Sequence, residues 1–226
     1  MYFDYSDLRN RKLYTFVKPV LKVLSHIVYS SDCVGRENVP PQGKLIVACN
    51  HIGTPDPGFI VANCPRTVHY MAKSELFEKK PFSVLFSAMN AFPVVRCSAD
   101  RKALRYALDV LDKDWALGIF PEGRRVRSNE SPSPVDGLAG VGYLARLSGA
   151  DVLPCCLYRE VDGRRLRPKV VVIFGEVIKN KDLGFEGKNR SAETKAASKI
   201  IMDKIKALWD EADRNRKVRS YENRKS

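Results

Sequence analysis

The segment LIVACNHIGTPDPGFIVAN, residues 45–63, joins two short apolar runs through a turn. The first run predicts a buried strand over 44–49, and the second predicts a helix over 57–63. The Gly-Thr-Pro sequence between the two runs favours a tight turn. A strand that leads through a turn into a helix is the repeating unit of α/β folds, which expose reactive side chains at the ends of their strands. The segment therefore predicts the fold class and the edge of the sheet at which chemistry is expected.

The same alternation of strand and helix continues along the chain. Further candidate strands cover 68–72, 91–95, 115–120, 151–158 and 169–178, and candidate helices cover 74–90 (broken near Pro81), 100–113, 138–148 and 191–212. This pattern predicts a single α/β domain in which a largely parallel, mixed sheet is covered by helices. Pro154 lies inside one candidate strand and indicates a sheet edge or a bulge, because proline cannot donate to the ladder.

The N-terminal segment 13–30 has apolar residues at helical spacing and several basic residues. Pro19 and the charges of Lys18 and Lys22 make it a poor transmembrane candidate. Two interpretations remain open, a basic amphipathic helix in a membrane interface and a helix packed on the domain. The chain divides into this N-terminal amphipathic helical segment with a turn-rich linker (1–40), a main domain (41–212) and a basic tail expected to be disordered (213–226).

The chain is strongly basic, because its 226 residues include 39 Lys and Arg against 26 Asp and Glu, a net charge of +13. Such a balance favours an anionic partner, which can be a nucleic acid, a membrane surface or a phosphorylated small molecule. The sequence contains no P-loop, no Gly-x-Gly-x-x-Gly turn and no Gly-x-Ser-x-Gly elbow. Nucleotide hydrolysis and serine-hydrolase chemistry are therefore disfavoured.

Six cysteines are present, but none belongs to a Cys-x-x-Cys pair, and only three histidines could share a metal. We therefore expect no metal site. Several of the cysteines lie in apolar segments, where a free thiol behaves as a small buried hydrophobe, so we expect a reduced, cytosolic chain. The N-terminus carries acids and aromatics before any apolar stretch, so we expect no signal peptide.

His51 and Asp56 form the first candidate constellation. Histidine is the side chain best suited to act as a general base near neutral pH, and an aspartate that accepts a hydrogen bond from its ring would orient it. Four intervening residues suit a turn that curls into the start of a helix. Such a pair taken alone is also compatible with a purely structural role.

Two further strand ends carry arginines. The segment GIFPEGRRVR, 118–127, leads from an apolar strand into Glu122 and three arginines, which suits an anion site because arginine binds phosphate through two parallel hydrogen bonds. The alternative is a solvated basic loop in which Glu122 is a salt-bridge partner. Another strand ends at Arg96 before a candidate helix, and a capped surface helix is the alternative there.

Four segments, taken in order, resemble the motifs of the glycerolipid acyltransferase family, of which 1-acylglycerol-3-phosphate acyltransferase is the best-known bacterial type. They are NHIGTPD (50–56), FPVVR (92–96), FPEGRR (120–125) and VLPCCLY (152–158). The first matches Asn-His-x4-Asp and the third matches Phe-Pro-Glu-Gly-x-Arg, while the second and fourth resemble apolar strands with a closing arginine and an internal proline. Each motif alone is common, but the ordered set is specific and covers roughly residues 40–180.

The resemblance implies transfer of a fatty acyl group from acyl-CoA or acyl carrier protein to the free hydroxyl of 1-acylglycerol-3-phosphate, giving phosphatidic acid in phospholipid biosynthesis. It implies no covalent acyl-enzyme and no cofactor beyond the thioester donor. By the resemblance, His51 is the catalytic base and Asp56 orients it, Arg96 and Arg125 hold the acceptor phosphate, Glu122 and Gly123 shape that loop, and Lys73 adds positive charge. The expected partners are a lysophospholipid, the acyl donor and an anionic membrane surface, without nucleic acid.

The same reading places the protein at the cytoplasmic face of the membrane, attached peripherally or by shallow insertion through 10–30, with a hydrophobic groove beside His51. Some positions depart from the family pattern, among them Arg124 and Leu138, and they leave the acceptor open. Glycerol-3-phosphate or another lysophospholipid is therefore an alternative acceptor. Two non-enzymatic alternatives also remain, a degenerate member that only binds lipid and a basic nucleic-acid-binding protein.

Overall fold

The computed structural model describes residues 3–8, 12–95, 100–125, 130–132, 139–160, 167–187 and 189–222. Within them the strands are β1 (Ser30–Val34), β2 (Leu45–Cys49), β3 (Val68–Lys73), β4 (Ala91–Val94), β5 (Ala116–Ile119), β6 (Asp151–Glu160) and β7 (Lys169–Phe174). The α-helices of the same residues are α1 (Lys12–Val28), α2 (Asp56–Asn63), α3 (Lys80–Ala88), α4 (Arg101–Asp112), α5 (Gly140–Ser148) and α6 (Arg190–Glu222). A 3-10 helix, Ser74–Phe77, precedes α3, so the predicted break near Pro81 falls at the first turn of a new helix.

The described strands form one sheet in the order β1-β7-β6-β2-β5-β3-β4. Every neighbouring pair among them is parallel except β6 and β7, which are antiparallel. This topology confirms the predicted α/β class and the largely parallel, mixed sheet. Because β2, β5, β3 and β4 run in one direction, the segments that follow them emerge at the same edge of the sheet, where ligands bind in open α/β sheets.

Strand β1 was not expected from the sequence. Its segment SSDCV has little apolar character, because it is an edge strand that pairs in parallel with β7 alone. The sheet therefore begins before residue 41, which the sequence gives as the start of the main domain.

Pro154 lies in an interior strand, so the sheet-edge interpretation is wrong. On the side of β6 that faces β7, Val152 N–H donates to Ile178 O at 2.9 Å, and Gly175 N–H donates to the Pro154 carbonyl at 2.8 Å. Strand β7 ends at Phe174, and pairing with β6 resumes only at Ile178. The proline nitrogen thus falls where the partner chain is out of register, and no ladder hydrogen bond is lost.

Residues that alternate along β2 enter two cores on opposite faces of the sheet. Leu45 and Val47 belong to the core shared with α1 and α2, whereas Ile46 and Ala48 belong to the core shared with α4, α5 and α6. All four side chains are buried. A parallel strand covered on both faces needs such a continuous apolar run, which is why the segment at 45–49 predicts it well.

Helix α1 packs on the domain along one side and exposes an apolar surface on the other. Tyr14 is buried and its hydroxyl accepts the Val68 N–H at 3.2 Å, and Lys18 donates to the Cys64 carbonyl at 2.5 Å. On the outer side, large apolar residues are between 47% and 71% exposed, namely Leu13, Phe16, Val20, Val23, Leu24, Ile27 and Val28. Within the described residues, no helix combines the length and the apolar content that crossing a membrane requires.

Helix α6 continues to Glu222, so the prediction of a disordered tail from residue 213 is wrong as far as residue 222. Residues 223–226 lie outside the described part of the chain. Asp213 accepts the Tyr158 hydroxyl at 2.8 Å, and Trp209 packs edge-on against the same ring. These contacts hold the polar end of the helix to strand β6, a tertiary interaction that composition does not reveal.

Candidate active site

Strand β2 ends at Cys49, and the next residue fastens the loop that follows. The Asn50 side chain is buried and makes two hydrogen bonds to the backbone of Leu157 in β6, donating to its carbonyl at 3.0 Å and accepting its N–H at 2.8 Å. An amide can make this pair of hydrogen bonds because it carries a donor and an acceptor side by side. The Asn50 side chain therefore continues the hydrogen bonding between β2 and β6 beyond the end of β2, and it fixes the position of the backbone that leads into His51.

His51 and Asp56 are in direct contact. One carboxylate oxygen of Asp56, Oδ2, accepts the His51 Nδ1–H at 2.7 Å and the N–H groups of Ile52 and Gly53 at 2.6 and 2.7 Å. The loop between the two residues is thus wrapped around a carboxylate that is only 1% exposed and begins helix α2. Because Nδ1 is the donor, the neutral ring presents Nε2 as a proton acceptor.

The ring of His51 is held from its face as well. It stacks on Phe120, with ring centroids 4.3 Å apart and planes inclined by 23°. Phe120 directly follows β5, the strand beside β2. The Nε2 atom makes no hydrogen bond to any described residue, and His51 borders the cavity described below. The histidine is therefore oriented on two sides and free to act at a third.

Glu122 binds the backbone of the same histidine. Its Oε2 accepts the His51 backbone N–H at 2.8 Å, so it is not simply the salt-bridge partner that the charge pattern allowed. Burial raises the pKa of Glu122 to about 7, against the lowering effects of the His51 N–H and the nearby Arg124 charge. Its Oε1 is buried with no hydrogen-bond partner among the described residues.

Gly123 turns the chain directly after Glu122. Its N–H donates to the Phe120 carbonyl at 3.0 Å, and its φ of 62° is a left-handed conformation that glycine adopts without strain. The turn sends the following two arginines towards the cavity, because both Arg124 and Arg125 line it.

A cavity of about 740 Å³ lies beside His51. Its walls come from α1, α2, β3, α3 and the loop after β5, and they are mainly apolar. Leu21, Leu24 and Val28 contribute from α1, and Phe86 from α3. This is the hydrophobic groove that the sequence predicts at this position, and its size suits the acyl chains of a lipid.

The positive charges at the cavity come from two segments. Arg124 and Arg125 lie after β5, and Lys73 lies at the end of β3, where its ammonium pairs with Glu75 at 2.8 Å. The parallel sheet thus brings together His51, Asp56, Glu122, Gly123, Arg125 and Lys73 at one edge. Arg96 lies outside the described residues, and its role stays a prediction.

Sequence reasoning missed several parts of this site. The sequence motifs include Asn50 and Phe120 but do not indicate that Asn50 binds the backbone of Leu157 or that Phe120 stacks on His51. The stacking of Phe120 on His51 depends on the register of β5 against β2, which no single segment carries. The role of α1 as a cavity wall leaves one trace in the sequence, since apolar residues recur on more than one side of that helix.

The arrangement has the parts of a general-base site for a lipid substrate. A histidine with a free Nε2 stands at an apolar cavity, and cationic side chains suited to a phosphate border the same space. Cys49 and Cys156 are not suited to act as the nucleophile instead, because both are fully buried and burial raises the pKa of both thiols.

Comparisons with known proteins show the family to which the chain belongs. The family model described as Acyltransferase matches residues 30–158, more than half of the chain. A 1-acyl-sn-glycerol-3-phosphate acyltransferase of Bacillus subtilis is 28% identical over 205 residues, which cover 89% of this chain and 99% of that protein. A protein of the same name from Streptococcus pneumoniae is 27% identical over 180 residues, covering 77% of this chain and 66% of its own.

A solved structure has the same fold. The crystal structure of the 1-acyl-sn-glycerophosphate (LPA) acyltransferase PlsC from Thermotoga maritima aligns with a TM-score of 0.63 at 21% identity, over 92% of this chain and 85% of that one. The family match, the relatives and the ordered motifs at one edge of the sheet lead to the same conclusion: this chain is a member of the acyltransferase family.

Proposed function

We propose that this enzyme transfers a fatty acyl group from a thioester to the free hydroxyl of 1-acylglycerol-3-phosphate, giving phosphatidic acid. The observation that carries the proposal is the His51–Asp56 pair at the wall of an apolar cavity that two arginines also border. The curated relatives are named for this activity, and the first of them aligns with nearly the whole chain. Acyl-CoA and acyl carrier protein are both suitable donors.

The reaction uses His51 as the base. Nε2 takes the proton of the acceptor hydroxyl while that oxygen attacks the thioester carbonyl, and collapse of the tetrahedral intermediate expels the donor thiolate. The imidazolium then returns the proton to that thiolate, so protons balance over one turnover. Asp56 holds the ring and stabilises its positive charge through the 2.7 Å hydrogen bond to Nδ1. Acyl transfer is direct, without an acyl-enzyme.

The acceptor phosphate is bound by cations at the mouth of the cavity. Arg125 and Arg124 supply guanidinium groups that match the phosphate oxygens, and Lys73 adds a third charge. Arg96 joins this set by the sequence motif. The acyl chain of the acceptor lies along the apolar wall formed by α1 and α3.

The protein acts at the cytoplasmic face of a membrane, attached peripherally or by shallow insertion of α1. The exposed apolar side of α1 can enter the interfacial layer, and the net charge of +13 favours anionic lipids. The described cysteines are free thiols, which suits a reducing compartment.

An acyl-transfer assay with a histidine variant tests the proposal. Purified protein receives 1-acylglycerol-3-phosphate and a panel of long-chain acyl-CoA and acyl-carrier thioesters, with His51→Ala in parallel. Loss of the general base lowers the rate about 10²–10⁴-fold. His26→Ala is the matched control, because this exposed histidine lies on α1 and does not line the cavity.

Near-full activity of His51→Ala would overturn the mechanism. Product from glycerol-3-phosphate or another lysophospholipid, with none from 1-acylglycerol-3-phosphate, would replace the acceptor and keep the base. Absence of product from every acceptor, with retained lipid binding, would establish the non-enzymatic lipid-binding alternative. Salt-sensitive retention of RNA without lipid activity would establish the nucleic-acid alternative.

A further inference from the structure

Helix α3 exposes several large apolar side chains and buries a polar one. Surface helices of globular proteins place apolar side chains against the core and polar ones in solvent. In α3 the polar Ser83 is buried, whereas Phe82, Val84 and Leu85 are 51%, 61% and 49% exposed. Three large apolar side chains within one turn of a nine-residue helix thus face outward.

The outer surface of α3 belongs to a helix that lies next to α1, which also exposes apolar side chains. The two helices contact each other, and both line the cavity beside His51. Leu76, in the 3-10 helix before α3, also lines the cavity and is 42% exposed. Exposed apolar side chains therefore lie next to the cavity, and a lipid that enters between these helices stays in contact with apolar groups.

Positive charge accompanies this surface. Lys79 and Lys80 precede the apolar turn of α3 and are exposed, as is Lys22 on α1. Across residues 76–95 the sequence has one acidic residue, Glu78, and two basic ones, Lys79 and Lys80. Apolar side chains bordered by lysines match the interface of an anionic bilayer, in which acyl chains lie below negative headgroups.

We propose that the outer face of α3, formed by Phe82, Val84 and Leu85, is a second membrane-contacting surface that acts with α1 to seat the cavity on an anionic lipid monolayer. The proposal rests on the proposed function, because it names the partner that presents the lipid acceptor. A second copy of this chain fits less well, since two molecules of charge +13 repel each other whereas anionic headgroups attract each one.

Vesicle binding by a double variant tests the surface. The double variant Phe82→Glu with Leu85→Glu places two charges in the proposed contact and substitutes no residue that lines the cavity. Sedimentation with vesicles of phosphatidylglycerol and phosphatidylcholine should show an apparent partition constant lower by about tenfold or more, because apolar area leaves the interface. Phe82→Ala with Leu85→Ala should also weaken binding, although it adds no charge.

The matched control carries the same charge change elsewhere. Leu147→Glu with Ile200→Glu replaces apolar residues that are 48% and 37% exposed on α5 and α6, on the other face of the sheet. This control should bind vesicles within about twofold of the unaltered chain. All variants should acylate a short-chain, monomeric 1-acylglycerol-3-phosphate at the rate of the unaltered chain.

Unchanged vesicle binding by both α3 variants would overturn the inference. Equal loss in the α3 glutamate variant and the control, with no loss in the α3 alanine variant, would also overturn it, because the effect would then be one of charge alone. A shift from dimer to monomer in lipid-free solution, with vesicle binding unchanged, would assign the surface to a second copy instead. Failure of the unaltered chain to acylate the monomeric substrate would instead contradict the proposed function, since vesicle binding is measured without catalysis.

Discussion

His51 is oriented by three neighbours that approach from different segments of the chain. Asp56 holds its ring nitrogen, Phe120 covers its ring face and Glu122 accepts its backbone N–H. The residue types at the site could be read from the motifs, because each motif carries its own chemistry. The stacking contact could not, and neither could the lack of a hydrogen-bond partner for Glu122 Oε1 among the described residues, because both arise where separate loops meet.

Glu122 should make stability depend on pH. Burial raises its pKa from 4.5 to about 7. Between these values the folded chain holds a proton that the unfolded chain has released, so this contribution to stability is complete below about pH 4.5 and is lost as the pH rises through about 7. Glu122→Gln keeps an oxygen for the His51 N–H but cannot ionise, so it should lose less stability between these pH values than the unaltered chain does.

Urea unfolding across this pH range measures the effect. The free energy of unfolding of Glu122→Gln relative to the unaltered chain should increase as the pH rises. Glu176→Gln is the control, because Glu176 is exposed. The same pH dependence in both variants would show that the burial of Glu122 has no such consequence.

Secondary structure elements with a clear hydrophobic pattern were predicted closely. The strand expected at 44–49 is β2, Leu45–Cys49, and the helix expected at 100–113 is α4, Arg101–Asp112. Of the two edge strands, β4 (Ala91–Val94) was predicted at 91–95, whereas β1 was missed because its segment has few apolar residues. The exposed apolar side chains of α3 also escaped prediction, since a helix with apolar residues on several sides does not reveal which side faces solvent.

The contact between α5 and α6 should be intolerant of one added methyl group. A Cβ at Gly142 would lie 2.2 Å from the Thr194 carbonyl oxygen and 2.7 Å from Ser198 Oγ, so α6 would have to move. Gly142→Ala should therefore lower the free energy of unfolding by about 1–3 kcal/mol. Urea unfolding checks this value.

Gly140 provides the control in the same helix. A Cβ there meets nothing within 4 Å, so Gly140→Ala should cost nothing and can add about 0.5–1 kcal/mol through the restricted unfolded chain. A Gly142→Ala variant as stable as Gly140→Ala would mean that the helices separate more easily than their packing indicates.

In the whole molecule, the candidate catalytic groups and the exposed apolar surfaces lie next to each other. The parallel sheet places the candidate catalytic groups at one edge, and α1 and α3 expose apolar surfaces next to the cavity at that edge. The sequence predicted the fold class, the basic charge and an amphipathic first helix. It could not show that α1 packs on the domain with one side and exposes apolar residues on the other, because only the folded chain reveals which apolar residues are buried.

Membrane attachment through α1 should be separable from folding. Phe16 is 71% exposed, so Phe16→Glu should weaken binding to anionic vesicles while leaving the thermal unfolding midpoint unchanged. Deleting the helix would be a poorer test, because it also removes the buried Tyr14. Binding of the unaltered chain should also fall as salt is raised from about 0.05 M to about 0.5 M, since each lysine or arginine at the surface contributes about 1 kcal/mol that ions screen.

Vesicle sedimentation at several salt concentrations measures both effects. The Phe16→Glu defect should persist at high salt, because lost apolar contact is not screened. Equal binding of Phe16→Glu and the unaltered chain at every salt concentration would exclude α1 as the attachment element.

Helix α1 is shared between two surfaces. Leu24 and Val28 line the cavity and are also about half exposed on the outer surface. A lipid in the cavity and a bilayer against the helix therefore touch the same two side chains, and their binding energies are coupled. Such coupling is reciprocal, so whatever factor the bilayer adds to lipid affinity, the lipid adds to bilayer affinity. Under the proposed attachment through α1, the membrane acts as an effector of this enzyme, and each exchange of product for substrate changes the affinity of the enzyme for the bilayer.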